Sequence, residues 1–329
     1  MSLEVHGRTL LVHHWDTDGI CSARLLLEHL SDWSVENRTP RIGNYFLTEG
    51  ELVDFSGYDS IIIADMALPV ENVLRLAKDS EVTIFDHHIQ PPIGSVNQHN
   101  PITKGAKPDD YPSASWVVSE HLGLETNLYT LLGMVGDREH RIKENERFWP
   151  IISEFCLEND MEFDDMLRMA ELLDSNYKIG DKRAVEWAPR LLLESEGPSG
   201  ILENTEWDRN VFLLEEEMER LLNVPFEDVM GVMLKRISTP YNIISAVTRR
   251  LAWDSGRSAI VVNTGFFKDS DQLYARSPDR DMKALILRGV ELGFKVGGKK
   301  DVIGAIVPKE ETEGFLKVVS EYLGYPKTP

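Results

Sequence analysis

Three short apolar runs, each ending in an acid, constrain this chain more than any other feature. Thr9–His13 (TLLVH) reads as a buried strand and leads into His13-His14-Trp15-Asp16-Thr17-Asp18-Gly19. Ser60–Ala64 (SIIIA) leads into Asp65, and Glu81–Phe85 (EVTIF) leads into Asp86-His87-His88. Helical patterns separate them: Ile20–Leu30, apolar on one side, and Pro69–Ala77, with proline in its first turn. Strands alternating with helices predict a parallel sheet with right-handed crossovers. In such sheets ligands bind outside the carboxyl ends of the strands. The acids and histidines should therefore converge on one edge.

Carboxylates that close repel one another unless cations neutralise them. Mixed carboxylate and imidazole donors suit Mn²⁺ or Mg²⁺, with Zn²⁺, Co²⁺ or Fe as further options. Asp16 and Asp18 are two residues apart and would share a face if the strand continued through them. One Asp shared by two ions would hold them at the spacing used to activate water and stabilise a leaving oxygen. A further acid, Asp137, closes the mostly apolar helix pattern Gly133-Met134-Val135-Gly136-Asp137. An Asp-X-Asp before glycine is by itself more often a turn or a helix cap. Its coupling to Asp65, Asp86-His87-His88 and Asp137 favours metal. Cys21 lies nearby, but metal-activated water already supplies a nucleophile. His13, His99, His121 and His140 read as ordinary packed or solvated histidines.

Beyond the third run, Gln90–Pro112 holds five prolines and reads as a loop, and Ser113 reads as the N-cap of a helix to about Leu122. From Asn127 to about Leu193 the pattern is mostly helical. Trp207, Val211, Leu214, Met218 and Leu221 form one apolar stripe on a helix capped by Thr205. The last hundred residues restart an α/β pattern, with strands at Ser258–Asn263, Gln272–Ala275 and Val302–Val307 and helices at Arg280–Leu292 and Glu310–Leu323. The expected organisation is a parallel-sheet metal-binding domain over 1–195, a helical connector over 196–224, and a smaller α/β substrate-binding domain over 225–329.

Charge sharpens that division. The 329 residues carry 35 Lys+Arg against 55 Asp+Glu, a net of −20. Residues 1–224 hold 19 basic and 42 acidic side chains, and residues 225–329 hold 16 and 13. The most acidic stretch, 150–224, has 7 against 19. Such an excess disfavours coating of extended duplex nucleic acid. Two cysteines are too few for a disulfide framework. No apolar run approaches the roughly 20 residues of a membrane span, and the N-terminus lacks a signal-peptide pattern. A cytoplasmic location is expected.

The run Asp16-Thr17-Asp18-Gly19-Ile20-Cys21-Ser22-Ala23 resembles the first motif of the DHH phosphoesterase superfamily. Asp65 in IIIADMALP resembles the second, Asp86-His87-His88 the third, and GMVGD ending at Asp137 the fourth, all in the family's order and spacing. The superfamily includes RecJ-like single-strand exonucleases, oligoribonucleases (nanoRNases), 3′,5′-bisphosphate nucleotide phosphatases, cyclic dinucleotide phosphodiesterases and exopolyphosphatases. Nearer the C-terminus, Arg276-Ser277, Val296-Gly297-Gly298-Lys299 and Val302-Ile303-Gly304-Ala305 resemble the DHH-associated substrate-binding domain. The resemblance covers about residues 8–140 and 245–310.

It implies that Asp16 and Asp18 bind one metal each, that Asp65 bridges the two, and that His87 and Asp137 complete the second site. His88 would contact the scissile phosphate, and Asp86 would hold a histidine in place. Many relatives carry a metal-binding His four residues before the first Asp. Val12 stands there in this chain, and His14, two residues before Asp16, could substitute, as in HxDxD-type members. Arg276, Ser277, Gly297, Gly298 and Lys299 would hold substrate phosphate, with Lys299 standing where relatives usually carry His. The implied activity is Mn²⁺-dependent (or Mg²⁺- or Co²⁺-dependent) hydrolysis of short or single-stranded nucleic acid to nucleoside monophosphates. The alternatives are a small substrate (bisphosphate nucleotide, cyclic dinucleotide or polyphosphate) and a non-catalytic, replication-associated member. The last would be expected to lose metal acids that this chain keeps. Phe266 and Phe267 could stack bases or close a core.

Overall fold

The structure is a computed structural model, and it describes residues 3–31, 34–195 and 197–324. The chain divides into two compact units. One comprises the residues through Tyr177 together with Asp181–Val211, and the other Lys178–Gly180 and the residues from Phe212 on.

The first unit opens with β1 (Thr9–His13), α1 (Thr17–Leu30), β2 (Glu36–Arg38), α2 (Glu49–Phe55), β3 (Ser60–Ala64), α3 (Val70–Leu76), β4 (Glu81–Phe85) and β5 (Asn97–His99). The five strands form one parallel sheet in the order β2-β1-β3-β4-β5. The three expected strands lie side by side at its centre. Their central residues are buried on both faces, as a helix-covered parallel sheet requires. On one face Leu10, Val12, Ile61, Ile63, Val82 and Ile84 pack with Leu52 and Phe55 of α2 and Val73 and Leu76 of α3. Leu11 and Ile62 alternate to the other face, where α1 lies.

Register matters more for the site than for the core. His13 pairs with Ala64, and Ala64 with Phe85, so the three strands end flush. The ladder runs one residue further: His14 N–H donates to Ala64 O, Asp65 N–H to Phe85 O, and Asp86 N–H to His99 O. The first site residue after each strand is thus pinned to its neighbour by the sheet itself.

Helices follow: α4 (Ala114–Leu122), α5 (Leu128–Arg138), α6 (Phe148–Glu158), α7 (Phe163–Lys178), α8 (Lys182–Glu194) and the short α9 (Ser199–Leu202). Ser113 caps α4 as expected, its hydroxyl accepting from Trp116 N–H. The long α10 (Thr205–Leu222) begins in the first unit and ends in the second. Its stripe is buried: Trp207 and Val211 in the first unit, Leu214 and Leu221 in the second. The cap differs from expectation. Thr205 is already helical, and Asn204 Oδ1 accepts from Trp207 N–H.

The second unit contains β6 (Glu227–Val229), β7 (Val232–Ile237), α11 (Ile244–Ser255), β8 (Ala259–Asn263), β9 (Ser270–Arg276), α12 (Lys283–Glu291), β10 (Lys295–Lys299), β11 (Val302–Pro308) and α13 (Thr312–Gly324). Its six-stranded sheet has the order β10-β11-β9-β8-β7-β6, and only β7 and β8 pair in parallel. Ile260, Val262, Leu273 and Ile303 face α12 and α13, while Val261 and Ile237 face α10 and α11. Sequence periodicity missed β7 because Lys235 interrupts its apolar run. The structure gives the reason: Lys235 is buried, and its Nζ donates to Leu221 O and Leu222 O, the last carbonyls of α10.

That ammonium serves orphan carbonyls at a helix end, where positive charge is favoured. Lys235→Met should lower unfolding free energy by roughly 1–3 kcal/mol, the cost of leaving a buried charge-assisted pair unmade. Chemical denaturation measures this. An unchanged midpoint would contradict the role.

Candidate active site

The turn after β1 supplies the first acids. Asp16 is the N-cap of α1, with Oδ1 accepting from Gly19 N–H at 3.1 Å. The strand ends at His13, so Asp16 and Asp18 do not share a strand face as expected; Asp18 lies inside the first helical turn. Helix α4 meets it end-on. Ala114 N–H donates to Asp18 Oδ2 at 2.6 Å and Ser115 N–H to Oδ1 at 2.9 Å. Free N–H groups at a helix start favour a carboxylate, and here they fix both oxygens of a fully buried one. Helix α5 closes over the same turn. A Cβ on Gly133 would lie 2.4 Å from Asp18 Oδ1, and one on Gly136 would lie 2.7 Å from Thr17 Cβ. The two glycines of GMVGD thus let α5 approach closely enough to deliver Asp137.

Asp65 occupies the centre. It is 1% exposed and adopts φ +59°, a left-handed conformation that costs a non-glycine residue energy. One carboxylate oxygen, Oδ2, lies 3.7 Å from His14 Nδ1. The other, Oδ1, lies 3.5 Å from His87 Nε2 and 3.8 Å from His88 Nδ1. Around it, His14 Nδ1 lies 2.7 Å from Asp16 Oδ2, and His87 Nε2 lies 3.1 Å from Asp137 Oδ2 and 3.9 Å from Asp18 Oδ2. The structure thus brings together His14, Asp16, Asp18, Asp65, His87, His88 and Asp137, and a metal ion could be held by three overlapping groups of these side chains.

The donor atoms fit such an ion. His14 Nδ1, Asp65 Oδ1 and His87 Nε2 are buried without a hydrogen-bond partner, although each lies close to an atom of another group member. Near approach without hydrogen-bond alignment is how ligand atoms sit around a common point, and orphaned buried polar atoms are otherwise costly. Outer contacts orient the rings. His87 Nδ1 lies 3.3 Å from Tyr111 O; donating there, it leaves Nε2 with its lone pair. His88 Nδ1 lies 2.8 Å from Asp86 Oδ1. Asp86 is buried, and its Oδ2 accepts from Gln90 Nε2 and Asn100 Nδ2.

Electrostatics carry the strain of this crowding. Burial, then the Asp137 charge, pushes the Asp18 carboxyl up to about 6. Burial, then Asp18 and Asp16, pushes Asp65 well above the usual carboxylate range. Burial works against a charged His87, but Asp137 and Asp65 outweigh it and raise its pKa well above normal. A divalent cation relieves the same repulsion without protons.

Sequence reasoning missed Ala114, Ser115, Tyr111, Gln90 and Asn100, which act through backbone groups or as outer partners. Only the Ser113 cap hinted that a helix start lay nearby. His13 is buried, with Nδ1 against His14 O at 2.5 Å and Nε2 against Asn37 Nδ2 at 3.2 Å. His99 and His121 pack with Phe85, away from the donor groups.

The expected phosphate contacts belong to the second unit. Lys299 pairs with Val302, and Val302 with Arg276, so the two basic residues lie in one cross-strand row, on β10 and β9 with β11 between them. Gly297, Gly298 and Lys299 are exposed on the edge strand β10. A Cβ at Gly298 would meet Val302 O at 2.1 Å, whereas Gly297 has open space. Arg276 is mostly buried, and its Nη1 pairs with Asp301 at 2.8 Å. Ser277 is placed inward, not at the surface: its hydroxyl is shared with Ser258 and Asp279. Phe267 is buried beside the half-buried Phe266.

Gly133→Ala should displace Asp18 or α5 and weaken Mn²⁺ binding by roughly 10–100-fold, the usual scale for disturbing a ligand's support. Isothermal titration reads it; unchanged affinity would show that the close approach is dispensable. Burial also pulls the His13 imidazole down to about 4. Its ring should stay neutral across the neutral range and gain a proton only below about pH 5. An NMR titration midpoint near 6.5 would contradict this.

Residues 8–140 match the DHH family, N-terminal domain. No curated protein sequence matches the chain significantly. Among solved structures, a manganese-bound exonuclease RecJ aligns over 97% of this chain and 91% of its own at 20% identity, with a TM-score of 0.65. The DHH domain of a member of the s1p family of ribosomal proteins aligns over 97% and 87% at 13% identity, with a TM-score of 0.72. PggH, a pGpG-specific phosphodiesterase of Vibrio cholerae, aligns over 96% and 99% at 13% identity, with a TM-score of 0.50. At these identities the likeness shows the fold alone. With its four motifs gathered at one sheet edge, the segment 8–140 is a DHH family N-terminal domain.

Proposed function

We propose that this chain is a two-metal phosphoesterase that hydrolyses phosphodiester bonds in short or single-stranded nucleic acid, releasing nucleoside monophosphates. The observation behind this reading is the division of Asp65: one oxygen toward His14 and Asp16, the other toward His87 and His88. His14, Asp16 and Asp65 would hold one ion, and Asp18, Asp65, His87 and Asp137 the other. Mn²⁺, or Mg²⁺ or Co²⁺, would supply Lewis acidity and a water acidic enough to act as nucleophile at neutral pH. RecJ, which shares the fold, is known bound to manganese.

The remaining residues bind and orient. His88 is 45% exposed and tied through Nδ1 to Asp86, which leaves Nε2 to hydrogen-bond a phosphate oxygen. Asp86, gripped by Gln90 and Asn100, would fix the ring. In the second unit, Lys299 offers a point charge, and Gly297 and Gly298 leave backbone exposed to an anion. Arg276 adds its guanidinium, held by Asp301, while Ser277 anchors the strand end from within. The net charge of −20 disfavours extended duplex. A small nucleotide remains the second reading, favoured by the likeness to PggH.

The test is product analysis with Mn²⁺ on a panel of short RNA, short DNA, a 3′,5′-bisphosphate nucleotide, a cyclic dinucleotide and polyphosphate. Release of mononucleotides from the short strands is expected, with activity abolished in Asp65→Ala. Turnover of the small compounds alone would move the substrate to the second class. No turnover, or equal turnover by Asp65→Ala, overturns the proposal.

A further inference from the structure

Helices α7 and α8 have no part in the chemistry so far, yet α7 bonds the metal-binding turn directly and α8 reaches it through Asn37 and Thr39. Asp174 of α7 reaches Thr17, the residue between Asp16 and Asp18. Asp174 Oδ1 accepts from Thr17 N–H at 2.9 Å and from Thr17 Oγ1 at 2.7 Å. Thr17 Oγ1 also lies 3.0 Å from Ala170 O. Thr17 is 1% exposed, and its methyl side is closed off by Gly136 of α5. The N–H groups of a first helical turn have no partner within the helix, so Asp174 takes a bond that the turn cannot make for itself.

The second contact is on α8. Glu186 O accepts from Asn37 Nδ2 at 2.6 Å, and Glu186 Oε1 accepts from Thr39 N–H at 3.0 Å. Asn37 in turn meets the His13 ring, and Thr39 Oγ1 donates to His13 O at 2.8 Å. His13 Nδ1 contacts His14 O. A chain of hydrogen bonds therefore runs from α8 to the backbone that carries His14. The two paths end on either side of Trp15: on His13–His14 and on Asp16–Asp18.

We infer that α7 and α8 clamp the His14–Asp18 turn in its metal-binding geometry, with Asp174 as the principal positioning residue. The inference rests on the metal reading above. It also accounts for where acid is placed in this segment. Asp174 Oδ1 accepts from both Thr17 donors, which ties this acid to the turn that carries Asp16 and Asp18. Loss of such an outer partner typically weakens metal affinity by about 10–100-fold.

Mn²⁺ titration of the full chain tests it, with thermal unfolding of each metal-free variant alongside. Asp174→Ala should weaken Mn²⁺ binding by roughly 10–100-fold. Asp174→Asn, whose amide oxygen can accept the same two donors, should restore affinity to within a few-fold of wild type. Thr17→Val, which deletes one donor while keeping the side chain's volume, should give an intermediate loss. Glu171→Ala, an exposed change on the same helix, should leave affinity unchanged. Unaltered affinity in Asp174→Ala and Thr17→Val overturns the inference while the metal reading stands. A loss in Asp174→Ala that tracks its fall in Tm, with no rescue by Asp174→Asn, overturns it as well. Absence of Mn²⁺ binding by the wild type would overturn the metal reading and this inference together.

Discussion

Everything at the site depends on one buried carboxylate. Asp65 follows the central strand of a parallel sheet, held by its neighbour's carbonyl and forced into a left-handed backbone conformation. That geometry turns its two oxygens toward two different sets of donors. A residue in an unfavourable backbone region persists only where its surroundings over-determine it. Here the surroundings are flush strand ends on both sides, each followed by a candidate metal ligand of its own.

The crowding has a physical logic. The buried Asp18 and Asp65 and the half-buried Asp16, Asp137, His14 and His87 crowd together, and such groups repel or titrate unless something positive joins them. The protein does not dilute this repulsion with solvent. It fixes Asp18 with two backbone N–H groups and His88 with Asp86, which keeps the donors in place against their mutual push. Two close-packed glycines then let a helix bring in Asp137. Preorganisation of this kind is what makes a cation the natural complement of the site.

Much of this was legible in the sequence. The runs TLLVH, SIIIA and EVTIF read as strands of a parallel sheet, and the three do lie side by side at its centre, with the acids that follow them gathered at one edge. The edge strands β2 and β5 were not legible: three polar residues carry no period, and only pairing with β1 and β4 makes them strands. The strand β7 hid behind a buried lysine whose purpose lies on another helix. The outer partners were illegible for a different reason. Thr17–Asp174 and Asp18–Ala114 join residues far apart in sequence, and a backbone N–H leaves no trace in side-chain pattern. Charge, by contrast, was legible in amount but not in use. The −20 was read as disfavouring extended duplex, and the structure adds that Asp18, Asp65 and Asp86, part of that charge, are buried at the sheet edge.

The account stands or falls on Asp65 serving two ions. Anomalous diffraction from crystals grown with Mn²⁺ measures this directly. Two anomalous peaks are predicted, one on the Oδ2 side of Asp65 near His14 and Asp16, the other on the Oδ1 side near Asp18, His87 and Asp137. A single peak, or none at this edge of the sheet, would contradict it.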